Sequence, residues 1–489
     1  MFPPFQEEDA FKYCRKIKAL LDKKQIRIKQ LASLSEERKD NGLMIGLCVA
    51  CADSSVKILL CCSGISKDLE IDNDSKIKSE LGLSANDEVI IVSPIVNPSL
   101  IENALCENDK EIHLLTDKIN SFEEDTKSLE EKKVLTKKRN DLCLESQKKV
   151  FDLYKFHSFQ NKIISLKAAC ALYNKNKLPP TGTGECCAPK LLDYACKNNL
   201  NVKSMCEFFY ESTYCTNSLQ TKETPECTVT SIETTERSEA SVPLNPNQIF
   251  TIPPCNSRCS IVLPAILGLR IIYRDDYIIV VNKQSGLLSV PGRGIDKQDC
   301  IVNRIKKLYP FCIEQPAVHR LDMETSGLMV LAFTKEAHKE LNRQFENGEV
   351  EKKYIALIDG VLAKKKIANE GTMELYFRLD IDNRPHQIWD EINGKKAVTQ
   401  WKIMDTENYI SPSNNNRAVT RVLFTPHTGR THQLRLASSD SHGFGLPIIG
   451  DSLYGKCEEG ERLMLHAAYL SFTHPVTKHR MTFNSECEF

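Results

Sequence analysis

Between Pro316 and Leu331 the chain reads PAVHRLDMETSGLMVL. A carboxylate, Asp322, stands two residues after Arg320, with Thr325, Ser326 and Gly327 just behind it. The apolar run Leu328–Ala332 that follows reads as a buried strand, and the polar cluster before it as the loop feeding that strand. A carboxylate at the edge of a core element can serve as a nucleophile or as a proton-transfer group without any cofactor. The plainer reading is that Asp322 pairs with Arg320 or caps a turn, since most charged loop residues are simply solvated.

Cysteines are the second group with chemical potential. Cys186 and Cys187 precede Pro189 and a helical run, and Cys255 and Cys259 sit in PPCNSRC. Four thiols in two close pairs could hold a structural zinc ion. The other reading is a set of reduced cysteines near a loop. His432, in THQLR, has no second histidine or cysteine at ligand spacing beside it, which argues against a catalytic metal there. Gly182 and Gly184 do not complete a dinucleotide-binding glycine pattern.

The elements that must position these residues fall into a series. With 489 residues the chain should form about two to four domains, and a hydrophobic share of 41% suffices for sizeable cores. No apolar run reaches the roughly 18 residues of a membrane helix, and the start, MFPPFQEEDAFKYCRK, has no secretory character. Lys plus Arg equal Asp plus Glu at 65 each, so the chain as a whole is not a polybasic nucleic-acid binder, although a local basic face is compatible with that balance. The 20 cysteines lie scattered in apolar stretches, which suits reduced, buried thiols and a cytoplasmic protein.

Residues 1–104 read as a small α/β or β-rich module. LMIGLCVACA and VKILLCC form a hairpin across Asp53-Ser54-Ser55, and VIIVSPIV follows. Residues 105–165 are charged and free of glycine and proline; Leu115, Ile119, Phe122, Thr126 and Leu129 step by four and three, with Glu123 and Lys127 as an i,i+4 pair. This predicts a long helical or coiled-coil insertion, either seeking a partner or folding as a hairpin on its own domain. Residues 166–215 form a cysteine-containing helical segment. Residues 216–247, rich in Ser, Thr and Glu, read as a disordered linker or insertion.

From 268 to 489 strand-like and helix-like segments alternate. Tyr277–Val281, Lys353–Ile358, Ala397–Lys402, Val419–Phe424 and Leu463–Phe472 read as strands, and Cys300–Leu308 and Lys335–Phe345 as helices, the latter ended by Gly348. Asn393-Gly394 is a hairpin signal. The predicted class is α+β, a mixed, largely antiparallel sheet with flanking helices.

Four stretches of this region, VVNKQSGLLSVPG, HRLDMETSG, EKKYIALIDG and HTGRTHQLRLASSDSHGFGLPIIGDSLYG, together resemble the RluA-type family of RNA pseudouridine synthases. One departure is Gln284 after Lys283, where the family usually has proline. The resemblance implies an RNA substrate, ribosomal or transfer RNA, and an isomerase that needs no cofactor. It implies that Asp322 is the reacting carboxylate, that Arg435 is its guanidinium partner in a bidentate pair, and that Tyr354 is the aromatic residue under the target base. The uridine must leave its stack, with Arg320 either inserting into the RNA or contacting phosphate and Leu465 lining the uracil pocket. His319, Gln433, Lys283, Arg430, Lys352 and Lys353 are the remaining candidate RNA contacts, with Arg293 and Lys364-Lys365-Lys366 as further basic groups. A non-catalytic RNA-binding or chaperone protein that keeps the same fold is the alternative. The family's small S4 module is not evident, so the first half would recognise RNA, or a partner through its long helix, in another way.

Overall fold

The computed structural model describes residues 4–31, 43–52, 55–122, 126–174, 177–210, 250–255, 257–294, 297–487 and 489. Contacts divide the chain into two compact units, one ending at Ile266 and the other running from Leu267 to Phe489. The predicted linker 216–247 and the Glu123 pair fall outside the described residues.

In the first unit the two apolar runs form antiparallel strands, Leu43–Ala52 and Ser55–Cys62. Asn201–Tyr210 adds antiparallel to one side and Glu88–Ile91 parallel to the other. The run is apolar at consecutive positions because both faces are covered. Ile45, Leu47 and Val49 share a core with the helix Glu8–Asp22, whose buried Ala10, Cys14, Ile17 and Leu21 follow the helical period. On the opposite face Gly46 lets the helix Cys187–Lys197 approach closely; a β-carbon there would lie 2.4 Å from that of Cys187.

Of the two forms expected over 105–165, the hairpin is the one observed, made of the helices Pro98–Asn120 and Thr126–Asp152. Lys149 pairs with Glu107, Asn108 with Ser146 and Lys138 with Glu111, so they run antiparallel. Leu115 and Ile119 of the predicted stripe are buried, while Phe122 lies past the helix end. Beyond Asp152 the charged character gives way to a small ribbon, Lys155–His157 with Ile163–Ser165, anchored by the fully buried Phe156.

The second unit is a sheet with helices against it. Across the sheet the strands run Gln387–Trp389, Glu370–Leu379, Lys395–Ile410, Asn416–Pro426, Glu351–Ile358, Leu465–Thr473, Ser326–Ala332, Ile278–Lys283 and Arg270–Arg274. Arg480–Asn484 pairs with the far end of Leu465–Thr473. Neighbours are antiparallel except at one seam, where Ser326 and Gly327 pair parallel with His466 and Ala467. Gly327 has φ +118°, and a β-carbon would strike the Ala467 backbone at 2.4 Å; only glycine closes this seam. Asn393-Gly394 does not make the expected hairpin. Gln387–Trp389 and Lys395–Ile410 lie on opposite sides of Glu370–Leu379, and Gly394 crosses over the backbone of Tyr376 and Phe377. The helix Lys335–Glu346 is capped by Thr334, whose hydroxyl accepts from the Ala337 amide at 3.2 Å, and it packs Ala337 and Leu341 on Ile278, Val280 and Val330.

Candidate active site

The Asp322 loop enters the sheet at the parallel seam, and the loop after Ile278–Lys283 holds it from behind. The Ser289 hydroxyl donates to the Leu321 carbonyl at 2.6 Å and accepts from the Leu321 amide at 3.1 Å. Lys283 Nζ donates to the Met323 carbonyl at 2.8 Å and to Leu287 at 2.6 Å, the Gly286 amide to Met323 at 2.9 Å, and the Ser285 hydroxyl to the Glu324 carbonyl at 2.6 Å. The backbone on either side of Asp322 is therefore pinned while its side chain projects outward, 23% exposed. Among the described residues no side chain hydrogen-bonds that carboxylate.

Asp322 lines a cavity of about 730 Å³ together with Arg320, Tyr354, Arg430, Arg435 and Leu465. That volume lies within the usual range for small-molecule sites. Tyr354 comes from the Glu351–Ile358 strand. Burial pushes its hydroxyl well above the ordinary tyrosine range, and the nearby Asp322 charge pushes it further.

Arg435 sits on the buried helix Gln433–Ser439. The expected bidentate pair exists, but with a different carboxylate. Arg435 Nε donates to Asp451 Oδ2 at 2.9 Å and Nη2 to Oδ1 at 2.5 Å. Glu324 lies 3.0 Å from the same Nη2, and Asp322 acts on Arg435 only through its field. The reason is burial. Asp451 is fully enclosed, and an enclosed carboxylate requires a partner, whereas Asp322 is partly solvated. Asp451 also accepts the Leu453 and Tyr454 amides at 3.0 Å each.

His432 faces Asp322, with Nε2 4.0 Å from Oδ1, too far for a hydrogen bond. Its Nδ1 lies 2.7 Å from the Tyr454 hydroxyl, which accepts the Gln387 amide at 2.8 Å. Burial lowers the His432 pKa, so the ring is neutral. The Arg435 guanidinium carbon stands 5.4 Å from the Tyr454 ring centroid.

Several candidate RNA contacts have structural occupations, although His319 and Gln433 also line the cavity. Lys283 is fully buried, its ammonium spent on loop carbonyls, and burial lowers its pKa to about 7. His319 stacks on Phe345 at 4.6 Å and accepts the Val330 amide through Nε2; burial lowers its pKa to about 3. Gln433 is buried and ties the His427–Arg430 turn to the neighbouring strand, accepting from Thr428 and Arg430 and donating to Val398 and Thr399. Lys353 leans over Tyr469 at 4.8 Å and does not line the cavity, whereas Lys352 does. Lys365 donates to the carbonyls of Phe444 and Gly445.

Asp451, Glu324 and Tyr454 were not singled out in the sequence. The only signal for Asp451 is a lone acid between glycines after the apolar LPII, in the stretch that also carries Arg435. Of the zinc candidates, Cys186, Cys255 and Cys259 come together. Cys187 does not: one step along the helix, it points into the core, with Sγ 3.4 Å from the Met44 carbonyl.

The family of RNA pseudouridylate synthases matches residues 277–440. The dual-specificity RNA pseudouridine synthase RluA of Haemophilus ducreyi is 43% identical over 224 residues, 45% of this chain and 94% of that protein. RluA of Escherichia coli strain K12 is 41% identical with the same coverage. A solved structure, human RNA pseudouridylate synthase domain containing 1, is 28% identical, covers 45% of this chain and 83% of that one, and has a TM-score of 0.35. With nearly the whole length of the bacterial enzymes spanned at this identity, the chain belongs to the RluA-type RNA pseudouridine synthases, isomerases that act on uridine in RNA.

Proposed function

We propose that Asp322 is the group that starts the isomerisation, and that Leu267–Phe489 is the catalytic unit. Pseudouridine formation breaks the bond between N1 of the base and C1′ of the ribose, turns the base and rejoins it through C5. The observation that carries the reading is the contrast between two carboxylates. Asp451 is enclosed and spent on Arg435, while Asp322 is held by its backbone with its oxygens left for a substrate. Attack on the sugar, attack on the base and removal of a sugar proton all begin from that free carboxylate.

Arg435 and Asp451 act as a fixed charged frame behind the loop, and Glu324 links the frame to it. Tyr354 offers a ring face for the base, and its hydroxyl is the candidate to take the C5 proton late in the reaction. Leu465 closes the pocket wall. The target uridine reaches the cavity by leaving its stack, and exposed Arg320 at the rim fills the gap or holds a phosphate. No cofactor enters the scheme.

Ribosomal and transfer RNA are both substrates to test, and the dual specificity in the relatives' name favours trying both. The first unit, with its helical hairpin, is assigned to RNA choice or to a protein partner, and the protein to the cytoplasm. The experiment is quantification of pseudouridine in both RNA classes after incubation with the full chain and with Asp322→Ala. Turnover should fall on the order of 10⁴-fold or more, with RNA affinity near normal. Appreciable turnover by the variant would remove Asp322 from the reaction.

A further inference from the structure

Three sulfurs in the first unit converge outside the catalytic unit altogether. The Sγ atoms of Cys186, Cys255 and Cys259 all lie within 4.8 Å of one another. None of the three is in a disulfide. Zinc–thiolate bonds of about 2.3 Å in a tetrahedron place sulfurs roughly 3.8 Å apart. An upper bound of 4.8 Å on the separations is compatible with that spacing.

The surroundings are those of thiolates. Cys186 is the N-cap of the helix Cys187–Lys197, and Cys259 opens the helix Cys259–Leu267. Helix starts favour negative charge. Cys255 receives the Cys259 amide at 3.4 Å and the Ser257 hydroxyl at 3.7 Å, and the Arg258 amide also donates to it. Several donors aimed at one sulfur are what a charged ligand needs. Three residues separate Cys255 from Cys259, within the usual C-x2–4-C range for a chelating pair. The Arg258 guanidinium packs against Gly182 in the turn before Cys186, which brings the two ligand segments together. Cys259 is buried, Cys186 is half-buried and Cys255 is exposed, so the cluster has a solvent side.

We infer that Cys186, Cys255 and Cys259 bind one zinc ion, with a fourth position open to water or an added ligand. Three thiols release their protons to solvent and three Zn–S bonds form, with no change of oxidation state. Among the described residues no other histidine, cysteine or carboxylate joins the group. The ion ties the Cys255–Cys259 segment to the helix after Cys186 and stabilises the first unit by linkage.

The test uses the full chain without a metal-binding tag, reduced and dialysed, with zinc measured by mass spectrometry. About one zinc per chain is expected, retained in Cys106→Ser and lost in Cys255→Ser, an exposed position. Cobalt(II) in place of zinc should give thiolate-to-metal charge-transfer absorption and tetrahedral visible bands. Should Cys255→Ser fail to keep the native circular dichroism, the cobalt spectrum of the unaltered chain decides. No bound zinc and no such spectrum, a full equivalent of zinc in folded Cys255→Ser, or a stable disulfide among the three under native conditions would each overturn the site.

Discussion

The two carboxylates make opposite predictions when each is neutralised without a change of shape. Asp451→Asn removes the charge that chelates Arg435 while keeping an oxygen for the Leu453 and Tyr454 amides. Arg435 is 2% exposed and Asp451 0%. Breaking such a buried pair by removing one partner costs roughly 3–5 kcal/mol. Glu324, 3.0 Å from the guanidinium, remains and offsets part of the loss, so about 3 kcal/mol is expected. For a unit of this size that is a fall in Tm of roughly 6–12 °C. Both tryptophans, Trp389 and Trp401, lie in the catalytic unit, so their fluorescence follows its unfolding and not that of the first unit. Asp322→Asn should leave the same transition within about 0.5 kcal/mol, as for other partly exposed sites without such partners, and yet abolish pseudouridine formation. The double variant Asp451→Asn with Arg435→Met should recover much of the lost stability, since the uncompensated buried charge has gone, without recovering activity. If Asp451→Asn melts with the unaltered chain, or if Asp322→Asn is as destabilising as Asp451→Asn, the division of labour between the two acids is wrong.

Two further outcomes follow from the same geometry. Tyr354→Phe keeps the ring and removes the hydroxyl; loss of a general acid–base group lowers kcat by about 10² to 10⁴ with KM little changed, whereas a purely stacking role predicts near-normal kcat in steady-state assays. Acid should weaken the catalytic unit in a definite window. His319 and His466 are held neutral by burial, with pKa lowered to about 3 and about 4. As pH falls below the ordinary histidine value of about 6.5, the unfolded chain takes up protons that the fold refuses. Their contribution to stability is therefore present above pH 6.5 and lost progressively down to about pH 4 and below. Tryptophan-monitored urea unfolding across that range checks the slope, and His466→Asn should reduce it.

Much of the catalytic unit was legible in order. The unbroken apolar run Leu328–Ala332 reads as an interior strand, and that run, the helical period of Lys335–Phe345 and the apolar Tyr354–Ile358 are local properties that a window of residues carries. Asn393-Gly394 misled because turn chemistry specifies a bend without naming the strands it joins. There the strand Glu370–Leu379, contributed from earlier in the chain, inserts between the two that the turn connects. The 105–165 region left two forms open, a partner-seeking helix and a hairpin, and the structure forms the hairpin. A repeating stripe looks the same whether it continues into a long rod or folds back, and the break near residue 121 has no proline or glycine to announce it.

The basic residues show the limit most plainly. Lys283 is drawn inward to satisfy loop carbonyls, and His319 and the neutral Gln433, although they line the cavity, are each also spent on a backbone group. By itself the amino-acid order carried the resemblance that implies the reaction class and its candidate residues, while local periodicity, a property of the chain, carried the strands and helices. Which carboxylate Arg435 chelates, which lysine is spent on a loop, and which three of four cysteines meet depended on burial. Burial is decided by segments far apart in the chain, and so only the folded structure could assign those partners.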